Sequence, residues 1–136
     1  MSYGVAAALQ TAIYGLLVND TKIAELVGPN VFDEAPAGAV PDLYVTLGPE
    51  VGLAAGDKTG QGARHRFTVS VVCGAAGFHG AKRIAGAVSD ALDDARPELA
   101  RGRVVGMQFL RADARRAGTQ GKRRIDLRFE ARVEDD

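Results

Sequence analysis

The sequence predicts an α+β fold: an antiparallel sheet of about four strands in two hairpins, with helices packed on one face. Residues 122–133 alternate apolar and charged side chains with a period of two, which is typical of a strand that buries one face and leaves the other in water. The strand-like segments occur in two pairs, and in each pair the two segments are joined without an intervening helix, which indicates antiparallel hairpins. Segments with apolar residues at spacings of three to four precede each pair and are predicted to be helices.

The N-terminal part of the chain is predicted to hold two helices. Apolar residues recur at helical spacing from Val5 to Leu16, and Ser2 is placed to cap this first helix. A second, short helix is predicted over Thr21–Val27, and Gly28-Pro29 ends it.

The middle of the chain is predicted to form the first hairpin. Val31–Asp33 is a short extended piece, and the prolines and glycine of residues 34–41 indicate a loop. Alternating residues predict strands over 43–47 and 64–73. The Gly- and Ala-rich connection of about 48–62 is longer than a hairpin needs, so we expect a mobile or functional loop.

The C-terminal part is predicted to add a helix and the second hairpin. Residues Phe78–Asp94 carry one apolar stripe, and Pro97 closes the helix. Strands are predicted over about Arg103–Arg115 and over 122–133, joined by a turn at 117–121. The sequence contains no internal repeat or linker, so residues 1–136 are expected to form a single domain.

Charge is unevenly distributed along the chain. The 136 residues carry no net charge, but residues 1–57 sum to −6 and residues 101–132 to +7. Such polarity suits a protein that meets a copy of itself or an oppositely charged neighbour. A match between the two halves inside one molecule would give the same distribution, and the sequence leaves both interpretations open.

No group of residues has the spacing of a catalytic, metal or cofactor site. His65 and His79 lie on different predicted elements, and Cys73 has no partner cysteine at ligand spacing. We predict that His65 is a partly buried structural residue and that Cys73 is a small core residue. The carboxylate pairs Asp93-Asp94 and Asp135-Asp136 are expected to be solvated charges. The sequence therefore predicts a protein that is not an enzyme and needs no cofactor.

The glycine-rich stretch around Lys58-Thr59 lacks the spacing of a phosphate-binding loop.

The cellular environment is predicted from a few further features. A single cysteine suits a reducing compartment. No signal peptide and no apolar run of about 20 residues occurs, so we expect a soluble protein made in the cytoplasm.

The predicted C-terminal hairpin concentrates basic side chains. Its candidate interaction residues are Arg111, Arg115, Arg116, Lys122, Arg123, Arg124 and Arg128. They suit contact with phosphates or with an acidic protein surface, and an ordinary solvated hairpin is the alternative. No aromatic residue lies among them at the tip, so any contact with nucleic acid is expected to be independent of sequence and sensitive to salt.

The chain as a whole resembles a known family. The landmarks are Val31-Phe32-Asp33, then Pro41-Asp42-Leu43-Tyr44-Val45, the Lys58-Thr59-Gly60 loop, and a final hairpin that ends in Ala131-Arg132-Val133-Glu134. Over roughly residues 5–134 the sequence is similar to the tail-completion or tail-terminator proteins of long-tailed phages and gene transfer agents. One departure is Cys73-Gly74, where that family often has an aromatic residue, and it concerns packing.

The resemblance implies a structural assembly protein. Such a protein forms a ring, usually of six copies, on the head-proximal end of the tail tube, stops tube polymerisation and joins the tail to the head. The implied partners are further copies of the chain, the tail tube protein, a head connector or stopper protein, and double-stranded DNA in the lumen. The protein would be made in the bacterial cytoplasm and incorporated at the head–tail joint of the particle. Asp57, Lys58 and Thr59 become interface candidates, in a loop expected to order on docking.

Overall fold

Within the part of the chain that the structure describes, three helices pack on one face of a five-stranded sheet, which confirms the predicted α+β class. The computed structural model describes residues 3–34, 38, 41–54, 62–74, 78–118 and 122–135. In chain order the elements are α1 (Ala6–Asn19), α2 (Thr21–Val27), β1 (Val31–Phe32), β2 (Leu43–Ala54), β3 (Gly62–Cys73), α3 (Phe78–Leu92), β4 (Arg103–Ala117) and β5 (Lys122–Glu134). The prediction counted about four strands in two hairpins and gave Val31–Asp33 only as a short extended piece; this piece forms β1 and joins the sheet beside β2.

The strands lie in the order β1-β2-β3-β5-β4. β1 runs parallel to β2, and the other neighbouring pairs are antiparallel. The two predicted hairpins are β2–β3 and β4–β5, and they join through an unbroken ladder between β3 and β5. That ladder runs from Gly62 opposite Glu134 to Cys73 opposite Arg123. It fixes the direction of the two outer strands, β2 and β4.

The face of the sheet that the helices cover, called the inner face, holds the core. The alternation in β5 places Ile125, Leu127 and Phe129 there, each at most 3% exposed. Phe129 stacks on Phe67 of β3 with 5.5 Å between the ring centroids. Burying side chains of this size stabilises the fold by about 1.5–3 kcal/mol each. The stripe of α3 that covers them consists of Ala81, Ile84, Ala85, Ala87, Val88 and Leu92.

The first two helices complete the core on the β1–β2 side. α1 buries Leu9, Ile13 and Leu17, which recur every four residues and so share one face. Asp20 lies between the two helices. Its carboxylate accepts a hydrogen bond from the Ile23 N–H at 2.9 Å and so caps the start of α2. Ser2, the predicted cap of α1, lies outside the described residues.

β2 is longer than the sequence predicts. The expected loop of residues 48–62 is wrong for residues 48–54, which continue the strand. Gly48 and Pro49 together oppose Thr68 as a bulge, and pairing resumes with Glu50 opposite Phe67. A bulge on an outer strand tolerates the missing N–H of proline, which inside a regular ladder would end the strand.

Candidate interaction surface

The face of the sheet opposite the helices, called the outer face, carries most of the predicted interaction residues. Over β5 from Lys122 to Arg132, and the residues paired with it, the described part of this face holds eight cations and three carboxylates. The cations are Arg64, Arg66, Arg111, Arg115, Lys122, Arg124, Arg128 and Arg132, and the carboxylates are Asp113, Asp126 and Glu130. The positive charge predicted for β5 therefore extends over β3 and β4.

Side chains of four strands form a concave trough on the outer face. It consists of two adjoining cavities that share Pro49, Thr68 and Arg128. One cavity, of about 670 Å³, has mainly charged walls from β4 and β5. The other, of about 440 Å³, has apolar walls that include Val51 of β2 and Leu110 of β4. Because β2 and β4 lie on opposite sides of β3 and β5 yet line the same cavity, the sheet curves toward its outer face.

Asp126 is the centre of a hydrogen-bond network in the trough. Its Oδ1 accepts from the Ser70 hydroxyl at 2.6 Å and from Arg124 Nε at 2.8 Å, and its Oδ2 accepts from Arg115 Nη2 at 3.3 Å. Burial raises the pKa of this carboxyl, but the hydrogen bonds and the charge of Arg124 outweigh burial and hold the pKa below its ordinary value. Two predicted interface residues, Arg115 and Arg124, are therefore engaged within the molecule.

Two other arginines of the outer face are also ion-paired within the molecule. Arg111 Nη2 lies 2.8 Å from Asp113 Oδ1, and this hydrogen bond lowers the pKa of Asp113. Arg66 Nε lies 2.9 Å from Glu130 Oε2, across the β3–β5 ladder. Of these two, only Arg111 was predicted to be an interaction residue, since its pairing with Asp113 could not be seen in the sequence. Among the described residues, the exposed cations of β4 and β5 without an ion pair are Arg116, Lys122, Arg128 and Arg132.

Arg123 lies on the inner-face side of β5, as its partner Arg116 does on β4, whereas the other described interface candidates lie on the outer face. Arg123 stands opposite Cys73 on β3 and Arg116 on β4. Its guanidinium carbon lies 5.3 Å from the centre of the Phe78 ring. This cation–π contact fastens the start of α3 to the start of β5, so Arg123 has a structural role besides any role at an interface.

The two predicted contact segments leave the sheet at opposite ends. The connection from β2 to β3 is at the end where β3 begins and β5 finishes, and the turn from β4 to β5 is at the end where β5 begins. The interface candidates Asp57, Lys58 and Thr59 belong to the first connection and lie outside the described residues. β3 has 12 residues, which separates the two ends by roughly 37 Å.

A polar cluster around the buried His65 supports the β2–β3 hairpin from the inner side. His65 is fully buried, whereas the sequence predicted partial burial. Its Nδ1 lies 2.6 Å from Glu50 Oε1. The Tyr3 ring packs on His65 with 5.8 Å between ring centroids. The negative charge of Glu50, with burial and a hydrogen bond to the same carboxylate, raises the pKa of the Tyr3 hydroxyl. Sequence reasoning missed this cluster because Glu50 fell in the expected loop.

No three His, Cys, Asp or Glu side chains of the described ranges are grouped so that they could hold a metal ion. Cys73, the single cysteine of the sequence, is 5% exposed and occupies the core position that the sequence predicts. No helix in the described part of the chain is long and apolar enough to cross a membrane.

Two comparisons with known proteins give matches over almost the whole chain. The family model described as "Tail completion protein gp17" matches residues 11–134. A chain of the solved structure described as "Virion of native gene transfer agent (GTA) particle" is 55% identical, with a TM-score of 0.91, and the match covers 98% of this chain and 99% of that chain. A comparison with curated proteins finds no match.

Proposed function

Because the chain belongs to the tail completion protein gp17 family, we propose that it forms a ring at the head-proximal end of a phage-type tail tube, where it ends tube polymerisation and joins the tail to the head. The sequence predicts this family, and the match over residues 11–134 confirms it. The family and the likeness to a chain of a gene transfer agent virion support a structural role rather than an enzymatic one. The protein acts as one domain, is made in the bacterial cytoplasm and is incorporated into the particle.

The observation that carries the proposal is the placement of the two hairpin ends. A protein that caps a tube and also joins it to a head needs two separate contact surfaces. The β2–β3 connection and the β4–β5 turn supply them, because they leave the sheet at opposite ends, roughly 37 Å apart. One end meets the tail tube protein and the other meets the head connector or stopper protein. At the β4–β5 end, Arg116 and Lys122 are exposed and make no ion pair among the described residues, which suits an acidic partner surface.

The outer face suits the lumen of such a ring. It is concave and free of helices, and its eight cations exceed its three carboxylates in the described stretch. Duplex DNA carries a negative charge about every 1.7 Å along its axis. Arg128 and Arg132 are exposed there without an ion pair among the described residues, so they are free to contact phosphates without reading the sequence.

The function is tested by electron microscopy of particles from a producer that lacks this gene. We expect overlong or headless tails beside filled heads, and we expect an introduced copy of the gene to restore tails of uniform length joined to heads. Joined particles with normal tails in the deletion strain would contradict the proposal.

A second candidate function, sequence-independent nucleic-acid binding, is favoured by the outer-face cations alone. It predicts that the isolated protein binds duplex DNA at low salt and loses affinity steeply as salt rises. Replacing both Arg128 and Arg132 by alanine should then weaken binding, whereas the matched pair Arg83→Ala and Arg96→Ala, at exposed positions outside the sheet, should not. Undetectable binding at low salt would exclude this candidate.

A further inference from the structure

We propose that neighbouring copies in the ring join edge to edge, with the open edge of β4 in one copy pairing antiparallel with the open edge of β2 in the next. The sheet would then continue from one subunit to its neighbour around the ring. This inference rests on the ring of the proposed function and names the surface that builds it. Four features of the described residues support it: two open strand edges, the exposed apolar side chains on them, the charge across the sheet and the heights of the two edges.

The first open edge belongs to β4, which has β5 as its one neighbouring strand among the described residues and forms an isolated bridge with Glu98 at Arg103. The end of α3 occupies the middle of this edge. The Asp94 N–H donates to the Met107 carbonyl at 2.8 Å, and the Asp93 carboxylate accepts from the Phe109 N–H at 3.0 Å. From residue 111 to residue 117, no described group forms a hydrogen bond with the outward backbone of β4.

The alternation of the ladder identifies which backbone groups of β4 are open. The Phe109 N–H points away from β5, toward Asp93. Phe109 stands opposite Phe129 on β5, and Ala112 and Ala114 stand opposite Leu127 and Ile125, the next alternate residues of that strand. Backbone direction repeats at every second residue, so the N–H and C=O groups of Ala112 and Ala114 also point away from β5. An unpaired row of this kind is a template for a strand of another chain.

The second open edge belongs to β2. β1 covers this strand only at Val45 and Thr46. Beyond the Gly48-Pro49 bulge, residues 50–54 pair with β3 on one side and with no described strand on the other. Each open stretch thus begins at a bulge, since β4 has one between Phe109 and Arg111. The bulges limit where an added strand can start.

Exposed apolar side chains are concentrated at these two edges. Val51 on β2 is 55% exposed, and Phe109 and Leu110 on β4 are 40% and 43% exposed. The described part of the chain has two other exposed large hydrophobic residues, Tyr3 and Val18. Pairing between copies would bring Val51 of one copy toward the outer-face side chains of β4 in the next and remove them from water.

The uneven charge across the sheet favours a contact between two different edges, β2 of one copy and β4 of the next. The acidic N-terminal part of the chain supplies β1 and β2 at one side of the sheet, and the basic C-terminal part supplies β5 and β4 at the other. The printed ion pairs of Arg101, Arg103, Arg111, Arg115 and Arg124 are made with Asp135, Glu134, Asp113 and Asp126, none of which belongs to the acidic N-terminal part. A β2-to-β4 contact between copies brings the two charges together, and repeating it generates a ring.

The two open stretches lie at different heights, which suits a closed ring. The middle of the β2 stretch, Gly52, is level with Ala131 on β5, and the middle of the β4 stretch, Ala114, is level with Ile125. Six residues along β5 correspond to roughly 20 Å, and the repeat from β2 of one copy to β2 of the next spans four strand spacings, roughly 19 Å. Pairing the stretches at one height requires the strands to tilt by about 45°, at the upper end of the usual range of closed sheets.

Disulfide trapping in assembled particles tests the contact. Antiparallel pairing centred on Gly52 and Ala114 places Val51 of one copy opposite Arg115 of the next, and a shift of two residues places it opposite Asp113. We expect the double variants Val51→Cys/Arg115→Cys or Val51→Cys/Asp113→Cys to give a ladder of covalent multimers on oxidation. Each single variant should remain monomeric, because Cys73 is buried. If particles assembled from each double variant in turn yield only monomer on oxidation, the inference is overturned.

A backbone variant tests the same edge without cysteine. Ala114→Pro removes an N–H that the molecule's own ladder does not use, whereas Ala114→Val keeps it. We expect the proline variant to remain folded by circular dichroism and to lose ring assembly, with the valine variant assembling normally. Rings of normal stability from a folded proline variant would contradict the inference. Tail length in the same producer reports on the proposed function separately, so normal capping without trapped multimers would refute the edge contact alone.

Discussion

The carboxylate of Asp93, just after α3, accepts a hydrogen bond from the backbone N–H of Phe109 on β4 at 3.0 Å. A side chain here takes the place of a neighbouring strand, so the middle of the outermost strand is closed while residues 111–117 remain open. The sequence analysis treated Asp93 as a solvated charge. Asp93 is exposed, in keeping with that expectation, and the structure adds its contact with the sheet edge, where the neighbouring Asp94 N–H also donates to the Met107 carbonyl.

Replacing Asp93 by alanine should destabilise the protein. The change removes the acceptor for the Phe109 N–H, and a lost hydrogen bond of this kind costs about 1 kcal/mol. Urea unfolding of the variant, compared with Asp90→Ala on the exposed side of α3, measures the effect. Equal stabilities of the two variants would show that water replaces the carboxylate without cost.

Stability should depend on pH through Asp126. Its folded-state pKa is lowered, so its stabilisation is fully present above the unfolded pKa of about 3.9 and is lost as pH falls through the lower folded value. The free energy of unfolding of the wild type should therefore fall more steeply below about pH 4 than that of Asp126→Asn. Urea unfolding at several pH values checks this. Parallel profiles of the two proteins would mean that Asp126 does not titrate as its hydrogen bonds indicate.

Charge reversal at the β4–β5 end should separate binding from folding. Arg116 and Lys122 are exposed and make no ion pair among the described residues, so changing both to glutamate should alter stability by less than about 0.5 kcal/mol. The same variant should reduce the yield of joined particles, counted by microscopy. Arg124→Ala is the contrasting variant, because it breaks the network of Asp126 and should lower the melting temperature. Normal joining by the double reversal would remove this end from the interface.

Gly102 should not tolerate a side chain. Its φ is +73°, and a Cβ there would lie 2.5 Å from the backbone oxygen of Glu134. Gly102→Ala should therefore cost about 2 kcal/mol or more in the free energy of unfolding. Gly106→Ala is the matched control, since an added Cβ there meets no described atom within 4 Å. Equal thermal stability of the two variants would contradict the close approach between Gly102 and the end of β5.

The sequence predicted the layers of the fold because their signal is local. The alternation in β5 and the stripe of α3 are complete in themselves, and each marks the face that becomes buried. Gly48-Pro49 gave the opposite result. The pair looks like the end of a strand, and the bulge that admits it exists only when Thr68 lies opposite. The length of β2, and with it the role of Glu50 beside His65, depends on pairing that a single sequence does not reveal.

The interaction surface was predicted in charge but not in arrangement. The excess of arginine on β5 was visible, whereas the partners of Arg111, Arg115 and Arg124 depend on the register of three strands. Asp126 binds Ser70 from 56 positions away, a distance at which no sequence pattern applies. The open edges of β2 and β4 follow from the strand order, which the sequence analysis did not derive.

Reconstruction of the head–tail joint in particles that carry this chain tests the central claim most directly. The account predicts a single ring of this protein between the tail tube and the head connector, with the β2–β3 and β4–β5 ends in contact with different neighbours. Density for this chain elsewhere in the particle, or a joint that lacks it, would contradict the account.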